Sequence, residues 1–210
     1  MRMPVRKTKA TRLHAEQGVH LQLQLEADPD CADLATRWAS RQALLLAAIE
    51  KQAAARLAAR RALATRRAAD VAVDREVRLL RGRVDALAGG DHGAPKMQAY
   101  FPGGGYRVTA APSGEEVRLV ETILAKLASE KEPTLLVRRE PLHAAFTSFR
   151  DAVAACEAAA TAQRTAMDLL EAARGEWFRE YEQLHHELCA RFVDDPARVE
   201  AYFLNDRRSH

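Results

Sequence analysis

Glu182 and His185 have the three-residue spacing that puts a carboxylate and an imidazole on one helix face, with His186 and Glu187 alongside. In helical bundles that spacing serves carboxylate-bridged metal pairs, but such a centre needs a second ExxH and two more inward carboxylates. No second ExxH exists, and residues 29–90 contain no histidine. The sequence therefore predicts no metal centre. Cys31, Cys156 and Cys189 are too scattered for a zinc or CxxC arrangement and suit a reducing compartment. Gly103-Gly104-Gly105 follows Phe101-Pro102 and lacks the lysine and helix start of a phosphate loop, so it reads as a turn. With no Ser-His-Asp, Cys-His or paired-carboxylate set, the sequence predicts no enzyme and no cofactor.

Charge is the more informative chemistry. The chain of 210 residues carries a formal charge of only +3, yet its distribution is uneven. At about 100° per residue, Arg56, Arg60, Arg67, Arg78 and Arg81 gather within about 60° of one helix face. Such a stripe is one footprint of phosphate-backbone binding. The competing expectation is that Glu157, Asp168, Glu171, Glu176, Glu180, Glu182 and Glu187 of a second helix neutralise it. The arm Arg2, Arg6, Lys7, Lys9 and Arg12 has no local acidic partner and is a second candidate contact for nucleic acid or an acidic protein.

The elements that position these groups follow from punctuation and periodicity. Neither proline nor glycine occurs between Pro29 and Gly82. A long helix is expected from Asp28-Pro29-Asp30, where the aspartate caps and the proline opens the first turn, to Gly89-Gly90. A second is expected from Leu142 to about Phe192. In it Phe146, Phe149, Val153, Cys156, Ala160, Met167, Leu170, Trp177, Tyr181, Leu184 and Leu188 keep steps of three and four, interrupted by Gln163 and Arg174. A period of 3.5 sustained over about six heptads predicts a coiled-coil seam. Trp38, Leu45, Ile49, Val73, Val77, Leu80, Val84 and Leu87 keep the same rhythm in the first helix. Between them Glu115–Lys131 reads as an amphipathic helix, with Ser113 and Glu116 as its capping box. Val19, Leu21, Leu23 and Leu25 alternate with polar residues, which favours a strand over a helix for 18–25 and a small hairpin with 106–110.

A weak repeat organises the whole. His92–Phe101, HGAPKMQAYF, resembles Asp194–Phe203, DDPARVEAYF, and each follows a long helix preceded by a proline turn. The expected organisation is a basic arm 1–14, a first helical repeat 15–110 and a second 111–210. Tyr100, Phe101, Tyr202 and Phe203 are candidate interaction aromatics, expected to plug the helix ends with phenol tips towards water. The fold class is mainly α: an elongated helical bundle or coiled coil with an internal duplication. No stretch reaches the roughly 20 apolar residues of a membrane span. His14-Ala15-Glu16-Gln17 stands where a signal peptide needs an apolar run, so a cytoplasmic location is expected. The functional expectation is a structural or protein-interaction element that binds a protein partner or self-associates, and the alternative is a nucleic-acid-binding protein.

Overall fold

The structure, a computed structural model, describes residues 11–104 and 106–203. All its elements are helical: α1 (Thr11–Ala27), a 3-10 turn (Pro29–Cys31), α2 (Ala32–Leu87), α3 (Pro95–Tyr100), α4 (Tyr106–Thr109), α5 (Ser113–Ala128), α6 (Pro133–Leu136), α7 (Arg139–Arg191) and α8 (Pro196–Ala201). Among the described residues there is no strand. The stretch 18–25 belongs to α1 and 106–109 to α4, so the hairpin is not formed. The reason is geometric. Alternation by two includes steps of four, and Leu21 and Leu25, one helical turn apart, are buried while Val19 and Leu23 face outwards. Exposed leucines on the wrong side of a helix imitated a strand.

α2 is uninterrupted because alanine, leucine and arginine dominate it and no proline enters. Asp28 accepts a hydrogen bond from the Asp30 amide at 3.1 Å and opens the turn that leads into it. Gly89 and Gly90, at φ 62° and 82°, close its far end. These angles suit glycine because a Cβ would meet the following carbonyl. α5 starts at Ser113 itself after Pro112, with no side-chain cap, so the expected capping box does not form. Glu116 is buried instead of reaching back to the helix start.

Two compact units result: the first joins the start of the described chain, up to residue 56, to its end, from residue 162 on, and the second is the continuous stretch 57–161. In the first unit, Leu21 and Leu25 of α1, Leu34, Trp38 and Leu45 of α2, and Trp177, Tyr181, Leu184 and Leu188 of α7 form one core with Val199, Tyr202 and Phe203. Here α2 and α7 run antiparallel. Arg191 clamps Asp33 with both nitrogens at 2.8 Å, Arg37 meets Glu187 at 2.8 Å and Glu180 at 2.6 Å, and Arg41 meets Glu176. In the second unit, Val73, Val77, Leu80 and Val84 of α2 pack with Val120, Ile123 and Leu127 of α5 and Leu142, Phe146 and Phe149 of α7. Arg138 meets Glu76 at 3.0 Å and the Arg83 guanidinium donates to the Thr134 carbonyl at 2.7 Å, again in antiparallel order.

The seam of α7 departs from the expected one in its middle. Ala160 and Met167 are exposed, Met167 by 55%. Ala152, Ala159, Ala166 and Ala173, spaced by seven, are buried or half-buried in their place. Alanine presents no large apolar surface, so it is outweighed by methionine in any hydrophobic pattern. It nevertheless lets a neighbouring helix approach to about 8 Å.

Candidate functional site

α2 carries the arginine stripe. Arg56, in the first unit, and Arg60, Arg67 and Arg78, in the second, are exposed, and Arg81 is half-buried. Arg78 bonds Asp74 at 2.9 Å, one turn earlier on the same helix. Among the described residues Arg56, Arg60, Arg67 and Arg81 have no carboxylate partner. Of the acids expected to neutralise the stripe, Glu176 pairs with Arg41, Glu180 and Glu187 with Arg37, and Glu171 with Arg174 at 3.6 Å, while Glu157, Asp168 and Glu182 make no ion pair among the described residues. The basic face is thus left to solvent. Arg61 and Arg75 lie exposed beside it, together with Leu57 (49% exposed), Val71 (67%) and Leu79 (42%). The sequence reading missed these residues because it grouped like charges and set the apolar residues aside as unassigned. Arg2, Arg6, Lys7 and Lys9 and the side chain of Arg12 fall outside the described residues.

The four candidate aromatics are buried rather than displayed. Phe101 and Phe203 fill the two cores, and each tyrosine ends on a carboxylate instead of water. Tyr202 donates to Asp28, and Tyr100 donates to Glu130 at 3.0 Å. In the first unit Arg198 donates to both Asp28 oxygens, at 2.7 and 3.0 Å, and to Asp30 at 2.9 Å, while its guanidinium lies 3.9 Å over Phe192. Asp28 is held below its ordinary pKa by the Arg198 bonds first and the Tyr202 hydroxyl second. Burial and the adjacent carboxylate push the Tyr202 phenol up. In the second unit Glu130 accepts the Lys131 and Glu132 amides at 2.8 and 3.0 Å and sits 3.5 Å from Lys96. Those two amides, ahead of the phenol, lower its pKa to about 2.

An open hollow of about 220 Å³ adjoins Asp28, Pro29, Arg198 and Tyr202. Asp28, Arg198 and Tyr202 there already bond one another and tie α8 to the α1–α2 turn, and Gln24 also lines the hollow.

Glu182 is half-buried and His185 is buried, 5.1 Å from the Phe203 ring and 5.9 Å from the His186 ring. Burial, then the neighbouring His186, lowers the His185 pKa. Among the described residues no three His, Cys, Asp or Glu converge as metal ligands, and none of the cysteines is in a disulfide. No described helix is long and apolar enough to cross a membrane.

No family model matches the chain, and neither characterised proteins nor solved structures show significant similarity to it.

Proposed function

We propose that the protein is a helical protein-interaction element of an assembly, acting through the outward face of α2, and that it is built by internal duplication and works in the cytoplasm. The observation that carries the functional reading is the set of exposed arginines, Arg60 and Arg67 above all, that pair with no carboxylate among the described residues. A guanidinium row held on a rigid helix is prepared for an anionic surface, and little ordering entropy opposes its use.

The duplication has its own support in register. Asp28 and Glu130, Lys96 and Arg198, and Tyr100 and Tyr202 are each separated by 102 positions, as are the buried pairs Leu21 and Ile123, and Leu25 and Leu127. Along the long helices Trp38, Leu45, Val73, Val77, Leu80 and Val84 lie 104 positions before Leu142, Phe149, Trp177, Tyr181, Leu184 and Leu188, every one buried. Under this reading each compact unit joins the start of one repeat to the end of the other, which is why Tyr202 closes on Asp28 and Tyr100 on Glu130. Coiled-coil packing along both long helices belongs to the same proposal.

The test is affinity capture from cells expressing the protein, with wild-type bait and an Arg60→Glu/Arg67→Glu bait compared by quantitative mass spectrometry. The reading expects at least one protein retained by the wild type and lost from the variant. Identical captures would refute it. The same unneutralised row also favours the second reading, nucleic-acid binding. Nuclease-sensitive polynucleotide that co-purifies with the wild type and not with the variant would establish that instead.

A further inference from the structure

The outward side of α2 in the second unit carries more than charge. Leu57, Ala64, Ala68, Val71 and Arg75 follow one another at steps of seven, four, three and four, and all are exposed. At about 100° per residue this line lies roughly opposite the buried Val73, Val77 and Leu80. Arg60, Arg67 and Arg78 border it on one side and Arg61 on the other. The carboxylates of this stretch of α2, Asp70, Asp74 and Glu76, are all half-buried, with Asp74 bonded to Arg78 and Glu76 to Arg138. The side of α2 away from the core thus repeats, in miniature, the design of a coiled-coil seam: small and apolar residues on the 3.5 period, with charge of one sign along the margins.

From this we infer that the face is a docking site for an acidic amphipathic helix of another protein. Apolar residues of the incoming helix would lie along Leu57, Ala64, Ala68 and Val71, and its flanking glutamates or aspartates would pair with Arg60, Arg61, Arg67 and Arg75. The inference rests on the protein-interaction reading above and adds the chemistry of the partner. Two observations favour a helix over a polynucleotide. A phosphate backbone asks only for positive charge, and Val71 and Leu57 would gain nothing from lying against it. The seven-residue steps from Leu57 to Ala64 and from Ala64 to Val71 fit a partner whose own contacts recur every two turns. Alanine at the middle of the line lets such a helix come close, and the missing counter-charge on this side sets the sign of its flanks.

The probe is a fluorescent heptad peptide about three heptads long, with leucine on its seam and glutamate on its flanks. It is titrated by anisotropy against the full-length protein at physiological salt. Saturable binding is expected, weakened at least about tenfold by Arg60→Glu/Arg67→Glu and, separately, by Val71→Asp, with unchanged helicity by circular dichroism. The same peptide with lysine in place of glutamate should not bind. Several results would overturn the inference: no binding by the glutamate peptide, binding indifferent to Val71→Asp, displacement of the peptide by a duplex of about 20 base pairs, or light scattering in which Val71→Asp dissolves a self-associated species. If the glutamate peptide fails while the capture experiment still yields an arginine-dependent protein, only the partner's chemistry is wrong. If both fail, the interaction reading falls with it.

Discussion

Gln42 shows how a single side chain fixes the first unit. Its amide nitrogen donates to the Ala15 carbonyl at 3.0 Å and its oxygen accepts the Trp177 indole at 2.7 Å, joining α1, α2 and α7 in the core. Trp38 completes the knot by donating to the Gly18 carbonyl at 2.9 Å. A Cβ on Gly18 would collide with the Gln42 amide. Alanine is the better helix former by about 1 kcal/mol, yet Gly18→Ala is expected to lower stability by about 1–3 kcal/mol, because displacing Gln42 strands a buried indole N–H. Chemical denaturation measures this, and a stabilised variant would show that Gln42 does not organise the core. Glu116 makes a second residue-scale case. It lies buried beside Asp70 and Asp74, opposed by Arg66. Burial first, then the Asp70 and Asp74 charges, push its pKa up to about 8. The folded form therefore holds this proton more tightly than the unfolded chain does. Its contribution to stability is complete below the ordinary carboxyl range near pH 4.5 and is lost as pH rises through about 8. Glu116→Gln should flatten the decline between pH 5 and pH 9 and gain on the order of 2 kcal/mol over wild type at the alkaline end. Parallel stability profiles for the two proteins would reject this assignment.

At the scale of elements, the alanine seam of α7 is the feature most open to test. Ala166 is buried and the adjacent Met167 is largely exposed, the reverse of what size suggests. Ala166→Leu should cost about 1–3 kcal/mol through overpacking, whereas Met167→Gln should change stability by less than about 0.5 kcal/mol. Thermal unfolding of the two variants decides between this register and the one centred on Met167. The contrast also explains what the sequence disclosed. Both long helices were legible, because no proline enters them beyond the first turn and each holds a single glycine, Gly82 or Gly175. So were the seam ends, where Phe146, Phe149, Trp177, Tyr181, Leu184 and Leu188 are large, apolar and buried. The middle of α7 was not, since alanine is nearly silent in hydropathy. The helical state of 18–25 was hidden because Leu21 and Leu25 satisfy a period of two as well as a step of four. At the candidate site the arginines of α2 could be read, but their lack of partners could not. Ion pairs such as Arg37 with Glu180 and Glu187, and Arg41 with Glu176, span sequence separations above a hundred residues and leave no local trace.

On the scale of the whole chain, the first unit is closed by contacts between segments far apart in sequence. The first unit contains both the start and the end of the described chain: the Ala201 carbonyl lies 3.2 Å from His20 Nε2, and Arg198 and Tyr202 close on Asp28. The residues linking α3 to α4 play the opposite part. Beyond Phe101, which belongs to the core, Gly103 and Gly104 take φ of 84° and 90°, and a Cβ on Gly104 would meet nothing within 4 Å. If the chain is a duplication, that turn is the joint between repeats and is equivalent to the gap between the chain's own ends. A circular permutant should then fold when opened between Gly104 and Gly105, with His210 joined to Met1. Loop closure costs change slowly with length, so the permutant should keep the wild-type helical signal and a cooperative transition within about 2 kcal/mol of the parent. Opening the chain instead inside α2, between Arg66 and Arg67, should destabilise it far more, since it removes several consecutive backbone hydrogen bonds and divides a helix whose two ends serve different cores. Equal losses from the two cuts would mean that the Gly103–Gly104 turn is no natural joint, and the register of 102 and 104 positions would lose its explanation as a repeat.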